Sequence, residues 1–408
     1  MANLLRYIAS VKRFLLVLGA FCLIEIALAH ILPAIIPQRW YFRMYLPWEA
    51  MKKTELFLSS QFNIIPSPDL GWRNKPNAVM NKIQYDHYGS RSHGGIVSDA
   101  RKPMRIVFMG DSRIGGYNNL ANDETVSAYL EHGDLETLNF ATNLYGLDQV
   151  FLALPKCLSQ FTPDVVVVAI GSDIGQALNC VYLPLTDRNV GAPLLKPRFF
   201  LQDGQLTCLR PEVCNLLQNI PNNPSLLEFI EKNDGHYFVF KHFQRKETLP
   251  FLSLFSLIQA NIAYVKQQID YHLGRPSWAS VTNEKLAAKI LNQMESEAEA
   301  RNVRLVFLVM PKRSELKSGS HAYQQVVHMA DSLGLRYIDG LAIFQRIRGS
   351  ESLFFDEVHL LAKGNQVLAS QLMEWLGPST RFAVENQISV DKKFSGTRMA
   401  EEVERAGR

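Results

Sequence analysis

The chain predicts an α/β fold built on a central parallel sheet, and three stretches carry that prediction. Asp164 to Ile170 reads Asp-Val-Val-Val-Val-Ala-Ile, a continuous apolar run rich in β-branched residues. Ile106 to Met109 and Val303 to Met310 are of the same kind. Strands covered on both faces lose the alternation of half-buried strands and show such unbroken runs. Segments of helical periodicity separate them, and strand–helix alternation places helices over the faces of a parallel sheet. At 408 residues, 47% apolar and 20% charged, the chain is long enough for one large or two small domains with a buried core.

In chain order, residues 1–13 are a basic lead-in with Arg6, Lys12 and Arg13 and no acidic residue. Phe14 to Ile36 is apolar apart from Glu25 and His30. As a helix it would measure about 34 Å, enough to cross a bilayer. Pro33 and Pro37 mark its end. The charge pattern places the N-terminus in the cytoplasm and the body in the periplasm or cell exterior. Arg39, Arg43, Lys52 and Lys53 follow the span and weaken that bias. Glu25 costs roughly 2–3 kcal/mol in a bilayer, which a run of this length absorbs. Ala27-Leu28-Ala29 resembles a signal-peptide cleavage site. The apolar run continues past it, which favours an uncleaved anchor over a cleaved signal peptide or a buried soluble helix.

Residues 37–100 read as a juxtamembrane segment and a β-rich preamble. Trp40, Tyr41, Phe42, Tyr45 and Trp48 suit a membrane interface or packing on the chain's own domain. Gly71 to Asn77 and Tyr88 to Arg91 are turn-rich. The main domain spans 101–377. After the strand at Arg105 to Met109 come a helical stretch around Thr125, Val126, Tyr129 and Leu130, a strand at Leu135 to Phe140, and a helix at Val150 to Leu158. From about 176 to 276 the alternation lapses, as in an insertion or lid. It contains a hairpin from Lys196 to Leu206 turning at Asp203-Gly204, a loop at Pro221 to Pro224 and a helix at Leu252 to Ile269. Alternation resumes with a helix at Glu284 to Ala300, the strand ending at Met310, a helix at Val326 to Leu333, a strand at Arg336 to Ile338 and a closing helix at Lys363 to Trp375. Residues 378–408 lack a sustained apolar face and read as a loosely ordered tail.

Composition excludes some functions. The net charge is +4 and no basic stripe interleaves with aromatics, so nucleic acid is not an expected partner. Gly110 to Gly116 lacks the lysine of a phosphate-binding loop. The five cysteines, Cys22, Cys157, Cys180, Cys208 and Cys214, include no CxxC pair, so neither a zinc site nor a cofactor is expected. The last four would form two disulfides in an exported domain or stay as buried thiols.

Two short motifs carry chemistry. Gly110-Asp111-Ser112 follows a buried strand directly, where α/β sheets place their sites. Far downstream, Asp356 and His359 stand three residues apart, a spacing that shares one face of a helical turn. A carboxylate so placed can fix an imidazole tautomer for a serine nucleophile. Alone, each motif reads more readily as a turn that caps the next helix than as a site. Leu144-Tyr145-Gly146 after the second strand and Gly171-Ser172-Asp173 after the third fall on the same sheet edge as Ser112, Asp356 and His359.

In order and spacing these segments resemble the blocks of the SGNH (GDSL-type) hydrolases, specifically membrane-anchored bacterial members. Gly110-Asp111-Ser112 resembles the first block, Asn139 to Gln149 the second, Pro163 to Asp173 the third and Asp356-x-x-His359 the last. Gly71-Trp72 through Pro76-Asn77, and Gly89-x-Arg91, resemble the preamble of anchored members. The resemblance implies a flavodoxin-like three-layer α/β/α sandwich and an esterase or acyltransferase of the inner membrane. Ser112 would be nucleophile, His359 base and Asp356 its orienting acid. The backbone of Ser112, the Gly146 turn and the Ser172 side chain would hold the oxyanion. An O-acylated envelope polysaccharide is the implied substrate. Two departures stand out: Ser172 where the family usually has asparagine, and Leu144 where it usually has glycine. They motivate the alternative of a degenerate envelope protein that binds glycan or partner proteins.

Overall fold

The computed structural model describes residues 63–91, 102–116, 119–185, 194–210, 224–235, 280–317 and 319–377, with Lys12, Leu16, Gly19, Ala20, Phe21 and Leu23. Those six isolated positions are helical. Among the described residues no helix is long and apolar enough to cross a membrane. Most of the expected span at 14–36 lies outside them, as do the aromatic cluster at 40–48, the helix expected at 252–269 and the tail from 378.

The chain divides into two compact units. One comprises residues 1–54, 180–195 and 217–279; the other comprises 55–179, 196–216 and 280–408. The second opens with an antiparallel pair, β1 (Ile64–Ser67) and β2 (Gly71–Asn74), and a smaller one, β3 (Val79–Met80) and β4 (Ile83–Gln84). Then follow β5 (Met104–Met109), α1 (Ser112–Gly115), α2 (Val126–Leu130), β6 (Leu135–Asn139), α3 (Leu147–Phe161) and β7 (Val165–Gly171). The hairpin strands are β8 (Arg198–Gln202) and β9 (Gln205–Leu209). In the other unit, α4 (Pro224–Asn233) is followed by Asp234, whose carboxylate accepts the N–H groups of Val181 and Tyr182 at 2.8 and 2.9 Å. The sheet unit continues with α5 (Ser280–Glu299), β10 (Arg304–Met310), α6 (His321–Ser332), β11 (Tyr337–Asp339), α7 (Gly340–Gln345) and α8 (Ala362–Leu376).

Five strands form the central sheet in the order β11-β10-β7-β5-β6, all parallel. Numbered along the chain from the β6 edge, that is the order 2-1-3-4-5 of flavodoxin-like sheets. Right-handed crossovers then put α2 on one face and α3, α5 and α6 on the other. The packing agrees: α3 lies against α5, and α2 against α8. The apolar runs of β7 and β10 are buried, as strands between two helical layers must be.

The hairpin turns at Asp203 and Gly204, with φ +50° and +76°, the left-handed pair of a tight two-residue connection. Three local expectations need correction. The helix expected from Val326 begins at His321, because Ser320 caps it by accepting the Tyr323 N–H at 3.0 Å. The strand expected at Arg336 to Ile338 is shifted by one residue, to Tyr337–Asp339. Pro224 opens a helix instead of ending a loop, and its missing N–H costs nothing there.

Candidate active site

β5 leaves the sheet at Gly110, where φ is +146°. A Cβ there would lie 3.0 Å from the Ala169 carbonyl oxygen on β7 and 3.1 Å from Ile114, so only glycine lets the two strands stay this close. Asp111 then caps α1, its Oδ1 accepting the Arg113 N–H at 2.9 Å. Ser112 is the first residue of that helix. The chain passes from β5 outward to β6 and returns past it to β7, so the crevice between the ends of β5 and β7 is the topological switch point. Ser112 and Ser172 flank it.

Asp356 and His359 do not lie on a helical turn, as their spacing suggested. They lie on a tight loop closed by a bridge between Phe354 and Leu360 and by the Phe355 N–H donating to the His359 carbonyl at 2.8 Å. Asp356 Oδ1 accepts the N–H groups of Val358 and His359, each at 2.9 Å. Its Oδ2 lies 2.7 Å from His359 Nδ1. His359 Nε2 in turn lies 2.8 Å from Ser112 Oγ. Burial raises the Asp356 carboxyl, but the bond from His359 and the two N–H donors outweigh it and hold the group below its ordinary range. An ionised Asp356 favours the Nδ1–H tautomer, leaving Nε2 to accept the Ser112 proton. The loop is tied to the exit of β10 by the Arg313 N–H, which donates to the Glu357 carbonyl at 2.7 Å, and by a Ser314–Glu357 side-chain bond.

Beyond β7, Asp173 Oδ2 accepts from Arg113 at 2.5 Å and lies 3.6 Å from Lys312. Arg113 also pairs with Asp111 at 3.1 Å. The guanidinium sits against Gly171, where any Cβ would collide with it. Burial opposes ionisation of Asp173, but the charges of Arg113 and Lys312 prevail and bring it down to about 2. This chain of charges ties the Ser112 turn to the turn holding Ser172. The Ser172 side chain is buried, and its Oγ has no hydrogen-bond partner among the described residues.

The turn after β6 runs beside the Ser112 turn. Phe140 donates to the Phe108 carbonyl at 2.9 Å, and Thr142 to that of Gly110 at 3.0 Å. Leu144 adopts φ +67°, a left-handed conformation natural to glycine. The donor expected at Gly146 needs correction. Its N–H is taken by Gln149 Oε1 at 3.0 Å, in the cap of α3, which leaves no proton for a ligand.

Sequence reasoning missed several groups around these turns. Asp148 and Lys196 form an ion pair with both side chains wholly buried. The only signal was a carboxylate and an amine inside apolar stretches. Trp72 donates to the Asn143 carbonyl, and Tyr145 to that of Trp72, at 2.9 and 2.6 Å. Cys157 and Cys208 are free thiols, and burial pushes the Cys157 thiol up to about 12.

No family model matches the chain, and no curated protein matches it. Solved structures similar to it include a lipase/acylhydrolase from Enterococcus faecalis, at 11% identity and TM-score 0.35, covering 67% of this chain and 95% of that one. A lipolytic protein of the G-D-S-L family from Desulfitobacterium hafniense is similar at 9% identity and TM-score 0.34, covering 66% and 98%. A catalytic mutant of an acetylxylan esterase from Geobacillus stearothermophilus is similar at 11% identity and TM-score 0.35, covering 69% and 97%. The geometry of Ser112, His359 and Asp356 stands independently of these likenesses.

Proposed function

We propose that the protein is a serine ester hydrolase or O-acyltransferase in which Ser112 is the nucleophile, His359 the general base and Asp356 the acid that orients it. One observation carries this reading: Ser112 Oγ, the imidazole and the Asp356 carboxylate form an unbroken hydrogen-bonded chain at 2.8 and 2.7 Å. His359 takes the hydroxyl proton as Oγ attacks the acyl carbonyl, then gives it to the departing alcohol. Water or a second alcohol next attacks the acyl-enzyme, giving hydrolysis or transfer. The Ser112 and Leu144 N–H groups and the Ser172 hydroxyl receive the oxyanion, each contributing roughly 3–4 kcal/mol. The orphaned, buried Ser172 Oγ supports its part, since a buried hydroxyl without a partner is costly unless a ligand completes it. The substrate is an O-acyl ester of an envelope polysaccharide. The domain works in the periplasm or cell exterior, held to the inner membrane by residues 14–36, whose apolar run supports that placement.

The test is active-site labelling. A fluorophosphonate should modify the full-length protein at Ser112, and not at all after Ser112→Ala. A folded protein that resists the reagent refutes the esterase reading. The engagement of Gly146 N–H favours a second reading, a non-catalytic binding protein of this fold. Full complementation of a gene deletion by both Ser112→Ala and His359→Ala would select it.

A further inference from the structure

We infer that Trp72, in the preamble, is a positioning residue for the oxyanion: it fixes the direction of the Leu144 N–H. The inference rests on the esterase reading and assigns a task to a segment that precedes the sheet. Its basis is the planarity of the peptide between Asn143 and Leu144. In a trans peptide the carbonyl oxygen and the following N–H point in opposite directions, and among the described residues no peptide is cis. Trp72 Nε1 donates to the Asn143 carbonyl at 2.9 Å. Pinning that oxygen to the indole turns the Leu144 N–H away from Trp72.

Burial and further contacts make the pin rigid. Trp72 is buried at 1% exposure, so the indole N–H has few alternatives to this acceptor. Tyr145 donates to the Trp72 carbonyl at 2.6 Å, and its ring packs edge-on against the indole with centroids 5.9 Å apart. From the neighbouring strand position, Asn74 Nδ2 donates to the Ala141 carbonyl at 3.1 Å. The preamble therefore grips the turn on both sides of Leu144. On its other side the turn is tied to the Ser112 turn through Thr142 and Gly110 at 3.0 Å. Leu144 itself adopts a conformation that leucine avoids when free, so the surrounding bonds must hold it. Trp72 is a buried donor whose bond falls on one of the two peptides whose orientation the oxyanion requires.

The experiment uses the full-length chain and Trp72→Phe, which removes the N–H and keeps an aromatic ring. Turnover of p-nitrophenyl acetate is measured per site titrated by exhaustive fluorophosphonate labelling, with the affinity of a phenylboronic acid, whose tetrahedral adduct presents an oxygen in the oxyanion position. Loss of an oxyanion donor costs about 10²–10³ in kcat, so a donor left in place but misdirected should cost about 10- to 100-fold. Boronate affinity should fall in parallel while KM stays within about threefold, since the ground state does not use this N–H. If Trp72→Phe does not fold, Tyr145→Phe, which loosens the same indole, should lower kcat per site by a smaller factor with KM again unmoved. Unchanged kcat per site in a folded variant overturns the proposal, as does a loss explained entirely by fewer titratable sites. If the unaltered protein is never labelled at Ser112, the esterase reading and this inference fall together. If it is labelled and the variants match it, only the role of Trp72 falls.

Discussion

Leu144 sits at φ +67°, where a side chain crowds the following carbonyl and costs about 1–2 kcal/mol relative to glycine. Leu144→Gly should therefore leave stability to urea unchanged or raise it by up to about 1 kcal/mol; a fall of more than that would show that leucine's packing outweighs its strain. Asp356→Asn should lower kcat by about 10³- to 10⁴-fold, because the amide no longer holds the Nδ1–H tautomer. Far-UV and near-UV spectra should stay unchanged, and a loss below tenfold would deny Asp356 its role. These two positions also show what a sequence reveals at this scale. Ser112, Asp356 and His359 were legible because each motif is local: a serine just past a buried strand, and an acid three residues before a histidine. The bonds from Trp72 to Asn143 and from Arg113 to Asp173 join residues 71 and 60 positions apart. Which of many donors meets which carbonyl depends on strand order, and no local pattern encodes that.

Between elements, the ends of β5, β7 and β10 are held by Asp111, Arg113, Asp173 and Lys312. Asp173 has its pKa drawn from 3.8 down to about 2 by Arg113 and Lys312, against the effect of burial. A depressed carboxyl contributes stability that is complete above its unfolded pKa and lost as pH falls through the folded one. The shift corresponds to roughly 2 kcal/mol at about 1.4 kcal/mol per unit. Unfolding free energy should thus decline between about pH 4 and pH 2, and Asp173→Asn should flatten that part of the profile while lowering stability near neutrality. An unaltered slope in the variant would exclude Asp173 as its source. Gly171→Ala tests the same contact from the other strand: its methyl displaces the guanidinium and should cost about 1–3 kcal/mol. Elements of this kind were half visible in the sequence. The strands announced themselves by burial on both faces, whereas the short α1 and the Asp356–His359 loop are shaped by caps and a bridge.

Across the whole sheet unit, the β8–β9 hairpin is joined to α3 by the buried Asp148–Lys196 pair and by Phe199 against Phe151, centroids 5.2 Å apart. Removing one charge leaves the other buried without its counter-ion, so Asp148→Asn or Lys196→Met should each destabilise by about 3–5 kcal/mol in urea unfolding. The double replacement should cost clearly less than the sum of the two; strict additivity would mean that the charges do not interact. Sequence patterning foresaw the parallel sheet and the hairpin but not the division of residues 180–279, because a chain that leaves one unit and re-enters it changes its composition little.

The hydrogen bond between Ser112 and His359 closes a separation of 247 residues. A ribosome makes the serine long before it makes the imidazole, and β10, beside which the Asp356–His359 loop is anchored, is the fourth of the sheet's five strands to emerge. With His359 as the proposed base, every chain interrupted between them carries a hydroxyl that nothing activates. On the proposed reading, reactivity toward esters waits until the chain has been made through His359, and a proteolytic cut that frees the Asp356–His359 loop would silence the protein while leaving its serine in place.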